Sequence, residues 1–208
     1  MKDELQMKPD SRVKNKLNRK LLAIAIIIII AIAAVVSWQI HGLSSNAPKS
    51  KVTLPASSLT LVGAEGQQKI LNSNKLATLE SYTASGGYSG EGVTYVGNFT
   101  GVPVLTLLNL VGGITSGENV TFIGSDGYQV TFTYQQIHGQ EIDSFDPNTG
   151  AAVQPAQPLT VMVAYYSNDT AIVAGKGPLT AAIVGPQGLY TDGYWWVYLL
   201  VKIEVISA

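Results

Sequence analysis

"YVGNFTGVPVLTLLNLVGG", residues 95–113, holds the end of a strand, a turn, a helix and a glycine stop. Pro103 suits the first turn of a helix, because its fixed φ is already helical and its missing N–H would have no partner there. Val104, Leu107, Leu108 and Val111 then recur at helical spacing and form one apolar face. Gly112 ends the helix, since glycine enters the left-handed conformation at little cost. The stretch predicts a strand running straight into a short amphipathic helix that covers a core.

The sequence around this unit reads mainly as strands. "LTLVGAEGQQKIL" (59–71) has two apolar runs about an Ala-Glu-Gly turn and predicts a hairpin. "NVTFIGSDGYQVTFTY" (119–134) predicts a second, with Val120 and Phe122 alternating with polar neighbours, Asp126-Gly127 turning, and Val130 and Phe132 returning. "FDPNTG" (145–150) is a turn by composition. "PLTVMVAYY" (158–166) and "TAAIVG" (180–185) read as buried strands. "WWVYLLVKIEVI" (195–206) predicts one long strand with an apolar odd face of Trp195, Val197, Leu199, Val201, Ile203 and Val205. A second short helix is expected in "NSNKLATLE" (72–80), which opens on capping residues. Two helices among many strands predict a β-rich α+β domain over 58–208.

The N-terminal part has another character. Residues 1–20 hold seven basic and three acidic side chains, a net of +4, and no arginine follows Arg19. Beyond residue 20 six lysines face eleven acidic residues, a net of −5. Between these regions "LLAIAIIIIIAIAAVVSWQI" (21–40) carries no charge. As a helix it would extend about 30 Å, the thickness of a bilayer core. The basic tail before it predicts a cytoplasmic N-terminus, a single-pass anchor and a C-terminal domain outside the cell membrane. A cleaved signal peptide is the rival reading, but the apolar run is longer than such regions, and the best cleavage site, "SNA", is followed by Pro48. The Ser- and Pro-containing segment 41–57 reads as a tether. Asn98, Asn119 and Asn168 each open an N-x-S/T triplet, usable for glycosylation on an exported domain.

The ordered blocks "GNFTGVPVLTLLNLVGG", "SDGYQVTF", "PLTVMVAYY", "GKGPLTAAIVGP" and "GYWWVYLLVKIEV" resemble the molybdopterin-binding domain of sulfite-oxidase-type oxidoreductases across 58–208. The resemblance implies that family's mixed α+β fold and a pocket for molybdopterin. It also implies a metal-binding cysteine upstream of the G-V-P-type helix, in the segment matched by "YTASGGYSG" (82–90), with Ala84 or Ser85 nearest its position. This chain contains no cysteine. The family's G-P-x-R arginine is matched by Thr180, and the lysine of its V-K-W pattern by Tyr198. If any cofactor is held, the expected contacts are Ser85, Gly86, Gly87 and Lys176. Ser85-Gly86-Gly87 also reads as a plain flexible turn.

Serine is a poor replacement for a soft thiolate ligand, and one lysine is a weak match for a pterin phosphate. No catalytic or metal-ligating residue is expected, and no cofactor, unless the family function is retained with molybdopterin. His138 is the only histidine after the tether and reads as part of a solvated turn. Glu141, Asp143, Asp146 and Asn148 offer oxygen ligands, but their spacing is not that of an EF-hand, and an acidic turn is the simpler reading. The aromatic run Tyr194, Trp195, Trp196 and Tyr198 could stack a carbohydrate, although strand alternation would bury about half of it. A net of −5 argues against nucleic acid. The leading expectation is a membrane-anchored domain that binds an extracytoplasmic protein or a small ligand. The alternatives are a molybdenum oxidoreductase with a non-cysteine ligand, and a structural or adhesive envelope protein.

Overall fold

The computed structural model describes residues 54–90, 92–172 and 175–208. The basic tail, the apolar span and the tether as far as residue 53 lie outside the described residues. Among the described residues, no helix is long and apolar enough to cross a membrane. The last tether residues are packed on the domain: Leu54 is buried, and the Ser57 N–H donates to Ser73 Oγ at 2.8 Å.

Strands β1 (Ser58–Val62) and β2 (Gln68–Asn72) form the first predicted hairpin. Asn72 then caps α1 (Ser73–Leu76), its side chain accepting from the Lys75 N–H at 3.0 Å. This helix is shorter than expected. Strand β3 (Tyr82–Gly90) pairs along its whole length with β4 (Val93–Pro103). Helix α2 (Val104–Leu108) continues into a 3-10 turn, Asn109–Val111, and ends at Gly112 with φ 102°. The predicted apolar face is the buried one, Val104, Leu107, Leu108 and Val111. Pro103 ends β4 and caps the helix rather than sitting in its first turn.

The second hairpin forms as expected from β5 (Glu118–Gly124) and β6 (Gln129–Thr133). A capping box between Thr133 and Gln136 starts α3 (Tyr134–Ile137). The chain continues through β7 (Ser144–Phe145), β8 (Thr160–Ser167), β9 (Thr170–Ala171), β10 (Thr180–Gly185), β11 (Tyr190–Asp192) and β12 (Leu200–Ser207). The predicted α+β, β-rich class is the observed one.

Two sheets result. One has the order β2-β1-β12-β5-β6, with β1 and β12 parallel. Its inner face carries Leu59, Leu61, Leu71, Phe122, Phe132 and Ile203, all shielded from solvent. In the other sheet β3 pairs with β4, β4 with β8 and β8 with β10, and β10 returns to β3. The sheet thus closes on itself, and β11 continues it from the far half of β3.

Two sequence readings are corrected. Residues 82–90 are a strand inside the closed sheet, not a flexible turn. The glycines there serve close packing: a Cβ at Gly86 would stand 2.4 Å from the Ile183 carbonyl oxygen, and one at Gly87 would stand 2.2 Å from that of Tyr95. The long C-terminal strand also does not begin at Trp195. Gly193–Trp195 form a 3-10 turn, and Leu199 has φ 50°, a left-handed conformation no continuous strand allows. The intervening backbone bonds elsewhere, with the Ala181 N–H donating to the Val197 carbonyl at 2.9 Å and the Leu200 N–H to that of Leu179 at 2.9 Å. A register shift between Leu200 and Lys202 then turns Val201 outward, and the predicted odd apolar face holds only at Val197, Ile203 and Val205, with Trp195 partly buried.

Candidate functional site: an aromatic cavity with one lysine

Alternation along β4 sends Tyr95 and Phe99 to one face, and register sets Tyr95 directly opposite Tyr88 of β3. The Tyr88 and Tyr95 rings stack at 5.6 Å, and Tyr88 also meets Trp196 at 5.2 Å and Tyr198 at 6.0 Å. Phe99 closes the group against Trp196 at 5.0 Å. Trp196 is 1% exposed, and its indole N–H donates to the buried Thr191 hydroxyl at 3.0 Å. These rings line a cavity of about 270 Å³, completed by Ser167, Thr170, Ala171, Ile172, Lys176 and Thr180.

Lys176 enters from the turn before β10. Its ammonium stands 4.9 Å from the centre of the Tyr88 ring and 5.2 Å from that of Tyr198, and it donates a hydrogen bond to the Tyr88 hydroxyl. The turn is fixed from behind, where the Thr180 hydroxyl donates to the Lys176 carbonyl and the Leu199 N–H donates to it at 3.3 Å. On the opposite wall Tyr95 shares a hydrogen bond with Ser167 at 2.9 Å. Asn168, at the left-handed β8–β9 turn, donates to Tyr95 Oη at 3.1 Å and accepts from the Asn98 N–H at 2.9 Å. Of the other two triplet asparagines, Asn98 lies in β4 and Asn119 in β5.

The two tyrosines at Lys176 titrate in opposite directions. Burial by itself pushes the Tyr88 phenol up, but hydrogen bonds with Lys176 and Tyr198, together with the lysine's charge, outweigh it and bring the group below the ordinary tyrosine range. Tyr198 is pushed up, by burial first and then by its hydrogen bond to Tyr88 and the charge Tyr88 acquires. An ultraviolet titration of tyrosinate should therefore show one of the ten tyrosines ionising ahead of the rest. Tyr88→Phe should abolish that early step. Lys176→Met should move it upward, because burial is then opposed by the Tyr198 hydrogen bond alone. An early step unchanged in Lys176→Met would show that the ammonium does not reach the phenol. The linked stability is complete above the ordinary tyrosine range and is lost as pH falls through the lowered Tyr88 value.

The structure brings together part of the set singled out in the sequence. Lys176, Thr180 and Tyr198 line one cavity, although Tyr198 stands apart from the other two along the chain. Ser85 does not join them. Alternation along β3 places Ser85 and Tyr88 on opposite faces, and Ser85 Oγ donates to the Gly97 carbonyl at 3.4 Å. Gly86 and Gly87 are buried between neighbouring strands. The sequence reading missed Tyr88, Tyr95 and Phe99. Their signal was the two-residue spacing in "VTYVGNF" (93–99), which only a strand reading of 82–90 turns into one wall.

The other candidates have local roles. His138 lies half-buried at the end of α3, where its Nδ1–H donates to the Tyr134 carbonyl at 2.8 Å and its ring stacks on Tyr134. The Asp146 carboxylate accepts from the N–H groups of Asn148 and Thr149 at 2.8 and 2.9 Å, and these bonds hold its carboxyl below the usual range. That is the acidic turn expected at 145–150. A wider groove of about 400 Å³ runs along 139–143 and 154–158, but no aromatic or basic side chain lines it. Among the described residues no three His, Cys, Asp or Glu side chains gather in a way that could hold a metal. In the C-terminal aromatic run Trp196 is core, Trp195 and Tyr198 pack partly against it, and Tyr194 is exposed.

The crystal structure of the sulfane dehydrogenase SoxCD from Paracoccus pantotrophus matches this chain with a TM-score of 0.52 and 15% identity. The fold is sulfite-oxidase-like. The match covers 73% of this chain and 38% of that one, so this chain spans well under half of the enzyme's length. At that identity the likeness carries the fold alone. No family model matches the sequence, and no curated protein does.

Within the sulfite-oxidase-like fold, the residues present do not fit the molybdenum cofactor that the family resemblance implies. There is no thiolate donor in the chain, and Ser85, the serine nearest the family's cysteine position, lies on the face of β3 opposite Tyr88. An anionic pterin phosphate would meet a single ammonium already seated over two rings, in a cavity smaller than the common range of ligand clefts, about 300–1,000 Å³.

Proposed function

We propose that this chain is a non-catalytic binding protein: a single-pass membrane protein, N-terminus cytoplasmic, displaying outside the membrane a sulfite-oxidase-like domain that captures a small ligand. The observation carrying this reading is the lining of the aromatic cavity. Thr180 and Tyr198, at positions matched to the family's cations, line an aromatic cavity with Lys176 instead of a cationic phosphate cradle. Aromatic walls with a few placed polar groups are the usual make-up of a small-molecule site. The charge contrast between residues 1–20 and the remainder, flanking an uncharged span, supports the anchor and its orientation.

The test is metal and pterin analysis of the full chain purified in detergent. Molybdenum and tungsten far below one per chain, without pterin fluorescence, are the expected result. Stoichiometric metal with pterin would overturn the reading in favour of an oxidoreductase with a non-cysteine ligand. The cavity beside β3 also favours ligand capture over a purely structural or adhesive role, which has no use for a preformed pocket.

A further inference from the structure

We propose that the aromatic cavity is a site for a small planar aromatic carboxylate, with the ring against Tyr88, Tyr95, Phe99 and Trp196 and the carboxylate on the Lys176 ammonium. The inference rests on the ligand-capture reading and names its ligand class.

Size comes first. An apolar cavity of about 150 Å³ accepts benzene. At about 270 Å³, this one has room for a single or fused ring with a short acidic substituent. Shape follows from the walls. The rings of Tyr88, Tyr95, Phe99, Trp196 and Tyr198 already pack against one another at centroid distances of 5.0–6.0 Å, so the lining is preorganised and aromatic. Offset stacking and edge-to-face contact favour a flat ring over a puckered aliphatic one of equal area.

Charge decides the substituent. The Lys176 ammonium carries three donors, and one goes to the Tyr88 hydroxyl. No carboxylate faces it among the described residues, where the one ion pair joins Lys202 to Glu204. A single-charged carboxylate matches this lone cation in number and can accept the remaining donors. A phosphate dianion would leave charge unpaired, since no second lysine among the described residues lines the cavity. The hydroxyls of Ser167 and Thr170 lie on the same lining and can meet a ring substituent or a second carboxylate oxygen.

The test is calorimetric titration of the full-length protein in detergent with benzoate and indole-3-acetate, beside cyclohexanecarboxylate, benzamide and inorganic phosphate. One or both aromatic carboxylates should bind with one site per chain. Cyclohexanecarboxylate and benzamide should each bind about tenfold more weakly or worse, and phosphate should give no heat. Lys176→Met should lower affinity for the aromatic acid about tenfold or more, while Lys176→Arg should restore most of it. Lys176 is exposed, so neither change threatens the fold. Equal binding of benzamide, or an unchanged affinity in Lys176→Met, would overturn the carboxylate assignment while leaving ligand capture in place. Binding of phosphate in preference to every aromatic acid would also overturn it. Silence from all five probes in a metal-free protein would overturn it as well. Stoichiometric molybdenum would instead remove the ligand-capture reading on which it rests.

Discussion

Trp196→Ala is expected to lose about 3–5 kcal/mol of unfolding free energy, the usual cost of deleting a buried large aromatic side chain. The side chain is 1% exposed and touches Tyr88 and Phe99 through their rings, so its removal opens a void at the floor of the cavity. It also leaves the buried Thr191 hydroxyl without the indole N–H that it accepts at 3.0 Å. Against a typical total of about 5–15 kcal/mol, the loss is large enough to unfold part of the population. Trp196→Phe separates the two contributions. It keeps most of the ring contact and loses the hydrogen bond, for a smaller cost of about 1–3 kcal/mol. Urea unfolding of the three proteins measures both effects. A Trp196→Ala midpoint equal to the parent's would show that this indole is not part of the packed core.

Gly86→Ala should lose about 3 kcal/mol, at the upper end of what an added methyl costs in a filled interior. The new Cβ would lie 2.4 Å from the Ile183 carbonyl oxygen and 2.9 Å from Val184 Cα, both backbone atoms that cannot rotate away. Relief requires β3 and β10 to separate, and their pairing at Val184–Gly86 and Gly185–Ser85 is what closes the sheet. Gly87→Ala meets the Tyr95 carbonyl oxygen at 2.2 Å and should behave alike. Gly90→Ala is the internal control, because no atom lies within 4 Å of a Cβ there. It should change the thermal midpoint little. If all three substitutions proved equally mild, the tight closure of β3 onto β10 would be refuted.

These two effects concern residues read very differently from the sequence. Gly86 and Gly87 looked like the hallmark of a flexible turn, since paired glycines are more common in turns than in strands. What they serve instead is the approach of two other strands, β4 at Gly87 and β10 at Gly86, and the second involves residues about a hundred positions away and leaves no local trace. The sequence reading expected about half of the aromatic run to be core without singling out Trp196, and the strand assigned to it was wrong. The backbone just after Trp196 is drawn toward β10 by the bonds of Val197 with Ala181 and of Leu200 with Leu179, which propensity along 195–206 does not register. The hairpins at 59–71 and 119–134 and the helix after Pro103 were legible because their signals are local. Alternation, turn chemistry, proline and a glycine stop all act within a few residues.

The candidate site divides in the same way. Thr180 and Tyr198 were visible as positions where the chain departs from the pattern it resembles, and Lys176 as the cation of a block it shares, because each is a property of the residue itself. Tyr88, Tyr95 and Phe99 were not, because an aromatic residue in a strand is ordinary until its register is known.

By itself, then, the sequence determined the β-rich α+β class, the amphipathic helix at 104–111, the lack of any thiolate, and the scarcity of positive charge beyond residue 20. Each depends on composition or on neighbours along the chain. Tertiary structure alone decided that β3 is a strand, that the sheet closes through it, and that a lone lysine meets five rings around one cavity. Those outcomes depend on pairing across long sequence separations, where backbone hydrogen bonds and packing override local preference.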